Sequence, residues 1–237
     1  MTLSLALEKL ETEAERSNGT GSPKSQNITW HHPMITREDR ERLLDQKGFT
    51  LWFTGLSRSG KSTLATEVEK RLHEKGYITF ILDGDNIRHS LNRDLGFSPE
   101  DREENIRRIG EVANLFSQAG IINMTAFISP YRADRKKARD LAKEDEFIEI
   151  FCRCSLEACE KRDQKGIYKK ARAGEIPEFT GISAPYQEPE NPEIAIDTDR
   201  ETIEEGVSRI ISYLEENGFI ENRVNIYFSD SAATHYG

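Results

Sequence analysis

The 237-residue sequence predicts an α/β protein of three layers: a mostly parallel sheet with helices on both faces and a basic lid at one end. Three observations predict it. Apolar runs of strand length alternate with stretches of helical spacing along most of the chain. The first such strand runs into a glycine-bracketed loop and then a helix. Late in the chain a lysine- and arginine-rich stretch, residues 161–182, interrupts the alternation.

Composition limits what the fold can be for. At 36% hydrophobic content the chain can bury a full core, and the length suits one α/β domain, residues 28–220, between an N-terminal extension (1–27) and a C-terminal tail (221–237). A net charge of −9 excludes coating of nucleic acid or of an anionic membrane through bulk charge, so anion recognition must be local. Cys152, Cys154 and Cys159 have no second cluster and no nearby histidine to complete a zinc site, and read as reduced, small apolar residues. No apolar run approaches a membrane span, and the N-terminus resembles neither a secretory signal nor a transit peptide. A cytoplasmic enzyme is the expectation.

Residues 1–16 read as a short charged helix and 17–26 as a linker. Thr36 to Asp45 reads as an N-capped helix that Gly48 closes. Phe49 to Thr54, aromatic and β-branched, is the first strand. Gly55-Leu56-Ser57-Arg58-Ser59-Gly60-Lys61-Ser62 then fits the G-x-x-x-x-G-K-[ST] phosphate loop residue for residue. The glycines let backbone N–H groups curl around phosphate oxygens, Lys61 reaches the β and γ phosphates, and Ser62 offers a hydroxyl to Mg²⁺. Leu64, Ala65, Val68 and Leu72 give the following helix its buried face. The chain is therefore expected to bind a nucleoside triphosphate in a fold of the P-loop NTPase type; the alternative for these residues is a glycine-rich strand-to-helix turn with a solvated lysine.

Tyr77 to Leu82 reads as a strand buried on both faces, ending in Asp83-Gly84-Asp85-Asn86. Acids at the carboxyl end of such a strand face the nucleotide and metal, and two positions apart they point the same way on an extended backbone. One of them could instead only cap the helix starting near Asn86. Asp101 to Gly120 is the longest predicted helix, with a stripe of Ile106, Ile109, Val112 or Ala113, and Phe116. Arg102 and Asn105 share one side of its start, as solvated residues or as anion ligands. Ile121 to Ile128 is a third strand. Ser129 and Pro130 then suit the cap and first position of a charged helix, roughly Tyr131 to Lys143. Phe147 to Cys152 is a fourth strand and Ser155 to Arg162 a short helix. Residues 161–182 hold six basic residues, either a solvated face or a flap that closes over phosphates. Glu193 to Asp197 is a last strand, and Glu201 to Asn217 a helix resting on Ile203, Val207, Ile210, Ile211 and Leu214. The segment VNIYF, 224–228, could pair at a sheet edge or stay loose.

Four stretches, GLSRSGKST, LDGDNIRHSLNRDLGFSPEDREENIRRIGEVANLF, AFISPYR and KGIYKKARAGEIPEFTGI, together resemble the adenylyl-sulfate kinases, from about Ile28 to Ile220. That family phosphorylates adenosine 5′-phosphosulfate (APS) on its 3′-hydroxyl to give 3′-phosphoadenosine 5′-phosphosulfate (PAPS). The resemblance implies that Arg58, Ser59, Gly60, Lys61, Ser62 and Thr63 hold ATP, with Ser62 and Asp85 toward Mg²⁺. It places Asp85 beside the acceptor hydroxyl, Arg88, Arg102 and Asn105 on the phosphosulfate, and Phe97 and Phe179 around the substrate adenine. Ile128 and Ser129 contact APS, Lys165 meets it from the lid, and Ser129 matches a position described as a phosphoserine intermediate. It further implies a homodimer, with ATP sulfurylase as a possible partner.

Two positions depart from the pattern. Arg58 stands where the family usually has glycine or alanine, and Arg153 where an acid is usual. The readings set against APS kinase activity are a related small-metabolite kinase and a regulatory APS- or nucleotide-binding module, which Arg58 alone favours.

Overall fold

The computed structural model describes residues 25, 27–29, 31, 33–221 and 223. The expectations for residues 1–16 and 224–228, and all but Ser25 of the linker, lie outside these residues. Five parallel strands, β1 (Thr50–Thr54), β2 (Thr79–Asp83), β3 (Ile122–Ala126), β4 (Phe147–Arg153) and β5 (Ile194–Asp197), form one sheet in the order β2-β3-β1-β4-β5. Leu51 of β1 sits opposite Met124 on one side and Ile148 on the other.

Alternation along β1 supplies both layers of core. Leu51 and Phe53 point to one face, where α2 (Lys61–Glu74) and α8 (Ile203–Glu216) bury Leu64, Val68, Leu72, Val207, Ile210 and Leu214. Trp52 points to the other, where α4 (Pro99–Gln118) and α5 (Arg132–Arg139) add Ile106, Ile109, Ala113 and Ala138. Truncating a fully buried residue such as Leu72 to Ala costs about 2–5 kcal/mol. Four short helices complete the described chain: α1 (Arg37–Leu44), α3 (Gly84–Arg88), α6 (Leu156–Lys161) and α7 (Ile167–Arg172). Among the described residues no helix is long and apolar enough to cross a membrane.

Several expectations are corrected. Thr36 does cap α1, in a reciprocal box with Asp39, but the helix stops at Asp45, which has a φ of 51°. Gly48 instead permits a close approach: a Cβ there would lie 2.1 Å from the Ser117 carbonyl oxygen. β2 is not buried on both faces, because it is an edge strand; Ile78 and Phe80 are about half exposed, at 48% and 47%, and Phe80 stacks on Phe116. Ser129 does not cap α5. The chain turns there through a φ of 41°, and the helix starts two residues after Pro130, behind Tyr131. Cys154 lies beyond the end of β4 and is partly exposed, so of the three cysteines read as small apolar residues only Cys152 and Cys159 are buried; all three are free thiols.

Candidate active site

The carboxyl ends of β1, β2 and β3 open onto a cavity of about 610 Å³. The sheet order changes direction between β1 and its neighbours, and ligands of open α/β sheets bind at such a place. One wall is the phosphate loop. Gly55 has a φ of 151°, and a Cβ there would come within 2.6 Å of the Cys152 carbonyl oxygen and of Ser59 Oγ, so the loop's tight curl requires glycine. Gly60, with a φ of 94°, delivers the chain into the first turn of α2. Lys61 heads that helix and is buried; its ammonium donates to the carbonyls of Gly55 at 3.0 Å and Leu56 at 2.6 Å. Burial pushes its pKa below the usual lysine range.

The carboxylates at β2 divide their work. Asp83 caps α3 through the Asp85 backbone N–H at 3.0 Å, and its other oxygen accepts from Ser62 Oγ at 2.7 Å. Asp85 lies in the first helical turn, so the two acids do not stand on one extended backbone as expected. Both line the cavity, and Asp83, which the family pattern did not single out, is the acid bonded to Ser62.

The opposite wall is made by side chains from α3, α4 and the turn between them. Arg88 donates to the carbonyls of Leu95 and Gly96, at 3.2 and 2.8 Å, and its guanidinium lies 4.4 Å from the centre of the Phe97 ring. Arg102 donates to Phe97 O at 2.9 Å, and also reaches Thr180 Oγ1 at 2.9 Å and Glu178 O at 2.6 Å. Burial lowers the pKa of both arginines, and for Arg88 the nearby Arg102 charge lowers it further. Asn105 is buried, and its Oδ1 accepts from Asn92 Nδ2 at 3.0 Å.

Between the walls lies the Ile128–Ser129 turn. Ser129 Oγ accepts from Trp52 Nε1 at 3.2 Å and donates to Thr54 Oγ1 at 3.0 Å, while the Ser129 carbonyl accepts from Arg135 at 2.7 Å. Arg135 is held by Glu149 at 2.6 Å, and both are buried.

The cavity thus gathers Arg58, Gly60, Lys61, Ser62 and Thr63 from the phosphate-loop wall, Arg88, Phe97, Arg102 and Asn105 from the arginine-bearing wall, and Asp85, Ile128 and Ser129 besides. Ser59, Lys165 and Phe179 do not line it. Ser59 is fully buried behind the loop, and Lys165 is exposed on the lid. Phe179 packs edge-on against Tyr168, ring centres 4.9 Å apart, while the face of Phe97 carries Arg88; the structure does not bring the two phenylalanines together as a sandwich.

A family model described as adenylylsulphate kinase matches residues 47–197. The adenylyl-sulfate kinase of Staphylococcus epidermidis is 59% identical over 197 residues, 83% of this chain and 99% of that relative. The chain belongs to the adenylyl-sulfate kinase family. Its enzymatic class is that of a kinase, an ATP-dependent phosphotransferase. The same relationship holds for the adenylyl-sulfate kinase of Acaryochloris marina, at 56% identity over 198 residues, covering 84% of this chain and 97% of the relative. Among solved structures, the Mycobacterium tuberculosis APS kinase in complex with AMPPNP and APS superposes with a TM-score of 0.69 at 49% identity, covering 72% of this chain and 99% of that one. A sugar kinase from Janibacter, at 18% identity and a TM-score of 0.52, shares the fold.

The cavity also holds residues that sequence reading missed. Thr198, just past β5, accepts from Arg162 through its carbonyl at 2.5 Å and donates its hydroxyl to Ser59 O at 2.8 Å. Thr198 and Arg162 line the cavity, as does Ile203, which is 49% exposed rather than on the core face of α8. For Thr198 a signal existed in its place at the carboxyl end of a strand. Ile203 fits the helical stripe, and only the position of the helix start takes it out of the core.

Among the described residues, no group of three or more His, Cys, Asp or Glu is disposed to hold a metal alone. Mg²⁺ keeps most of its waters and takes one or two protein oxygens plus substrate phosphates. The Ser62 hydroxyl and the Asp83 carboxylate, already in contact, are a donor set of that kind.

Proposed function

We propose that this chain transfers the γ-phosphoryl group of ATP to the 3′-hydroxyl of APS, giving PAPS and ADP. The observation that carries the reading is that a phosphate loop, an arginine-bearing wall and Asp85 all line one cavity. Two anionic nucleotides repel, and transfer demands that they be aligned; phosphoryl transfer is mostly positioning and charge stabilisation.

In this reading the loop's N–H groups and Lys61 hold the donor phosphates, and Lys61 leaves its two carbonyl partners for them. Ser62 and Asp83, with Asp85 alongside, would hold Mg²⁺, which when bound would supply charge neutralisation for the donor phosphates. Asp85 accepts the proton of the acceptor hydroxyl. Arg88, Arg102 and Asn105 bind the phosphosulfate, and Phe97 offers its face to the adenine once Arg88 turns to the anion. Phe179 and Lys165 join when the lid moves inward over the acceptor, which excludes water from the transferring group. The role proposed for Ser129 is positional, since its hydroxyl already serves Trp52 and Thr54. In-line transfer needs no phosphoserine.

The catalytic unit is taken as residues 28–220; Phe219 and Ile220 packing against the core supports its end. A homodimer, a cytoplasmic location, a place in sulfate assimilation and an ATP sulfurylase partner are proposed from the family resemblance. The relative described as a hexameric APS kinase, from Thiobacillus denitrificans, supports assembly only generally, because this chain covers 32% of it. The test is a coupled assay with ATP, Mg²⁺ and APS, in which PAPS forms and Lys61→Ala lowers kcat by about a thousandfold or more. Turnover that survives this change overturns the mechanism; APS binding without turnover in the unaltered chain favours the regulatory-module reading.

A further inference from the structure

The third variable position of the phosphate loop carries Arg58 with a φ of 63°. Left-handed backbone disfavours any residue with a Cβ, so a long side chain held there points to a compensating contact. Arg58 lines the donor side of the cavity. Its Nε lies 3.9 Å from Asp163 Oδ1, in the lid just before α7. That is an ion pair but too long for a hydrogen bond, and both atoms are buried without a hydrogen-bond partner. The Asp163 side chain is only 3% exposed, whereas that of Arg58 is 32% exposed. The other Asp163 oxygen accepts from the Tyr168 backbone N–H at 2.7 Å, and the Tyr168 hydroxyl donates to Ser57 O at 2.8 Å. The lid therefore meets the phosphate loop through one completed bond and one charged contact left incomplete.

We infer that Arg58 is a positioning residue that makes the seating of the lid depend on donor occupancy. A guanidinium presents its N–H groups on separate edges and can serve two acceptors at once. When a triphosphate occupies the loop, the Nη pair takes phosphate oxygens, which fixes the guanidinium and lets Nε close onto Asp163 Oδ1. A carboxylate shielded from water gains most from the bond it lacks. Glycine or alanine at this position has no means of reporting the donor to the lid. The inference rests on the reading that the loop binds ATP, and the experiment separates the two.

Trypsin cleaves the lid of the 237-residue chain at its exposed basic residues, Lys165 among them, in the presence or absence of AMPPNP, a donor analogue that resists transfer. One charge-assisted hydrogen bond corresponds to roughly tenfold slower cleavage with AMPPNP in the unaltered chain. Arg58→Gly, which suits the backbone, and Asp163→Asn each cut that protection to about twofold or less, and the double variant loses no more than either single one. Arg58→Lys restores only part, because an ammonium lacks the fork. In steady state Arg58→Gly raises KM for ATP about five- to tenfold and leaves KM for APS unchanged. Full protection in Arg58→Gly, or additive losses in the double variant, overturns the inference. AMPPNP that raises Tm of the unaltered chain without protecting its lid also overturns it. If AMPPNP fails to raise Tm at all, the donor-site reading falls first.

Discussion

The two walls of the cavity are built in different ways. The donor wall is mostly backbone: a strand buried along its whole length, two glycines in conformations other residues resist, and a helix that begins at the lysine. The arginine-bearing wall, proposed to take the acceptor, is mostly side chain: Arg88 and Arg102 lie against carbonyls of the α3–α4 turn and, for Arg102, of the lid. A wall of backbone is specified by a few adjacent residues. A wall of long side chains is specified by partners far away in sequence and can rearrange when a ligand competes for the same N–H groups.

The largest effect that tests this contrast lies beneath both walls. Glu149→Ala leaves Arg135 charged, buried and unpaired under the Ser129 turn, and lowers unfolding stability by about 3–5 kcal/mol, measured by chemical denaturation. If the loss is below about 1 kcal/mol, the turn does not depend on that pair. Gly55→Ala comes next: its Cβ collides with backbone, and kcat/KM for ATP falls by about a hundredfold or more while APS binding, followed by calorimetry, persists. Arg102→Ala reverses the pattern, raising KM for APS roughly 10–100-fold with little change for ATP, and it also loosens the lid at Glu178 and Thr180. Equal effects on both substrates would erase the distinction between the walls.

The smallest effect is acid sensitivity on the acceptor side. Hydrogen bonding from Arg107 holds the Glu104 carboxyl at about 2, below its usual range, with Arg108 adding to it. A carboxylate whose folded pKa is lowered contributes stability above its unfolded value of 4.5 and loses it as pH falls toward about 2. Because these groups are partly solvated, the contribution is about 1 kcal/mol or less. Urea titrations at pH 7 and pH 3 should therefore differ slightly less for Glu104→Gln than for the unaltered chain.

Legibility in the sequence followed the same division. The phosphate loop, the buried face of α2 and the stripe on α4 could be read because motif and periodicity are local. The N-cap expected at Ser129 failed because serine before proline has the chemistry of a cap, whereas here the hydroxyl is claimed by Trp52 and Thr54 from another strand. β2 looked doubly buried because an apolar run carries no mark of its place in the sheet. The contact of Ser62 with Asp83 joins residues 21 apart in the chain, and nothing near either one announces it. The family pattern supplied the acceptor residues that periodicity could not, and it did not supply the present placement of Phe97 and Phe179.

The bond from the Trp52 indole to Ser129 gives the protein a built-in optical probe. The chain has two tryptophans, Trp30 and Trp52, and Trp52 is fully enclosed with its one polar atom attached to the Ser129 turn, which is proposed to contact the acceptor. In a Trp30→Phe background, emission from Trp52 should shift when APS enters and stay unchanged with the donor alone, so stopped-flow fluorescence could time the arrival of each substrate without any added dye.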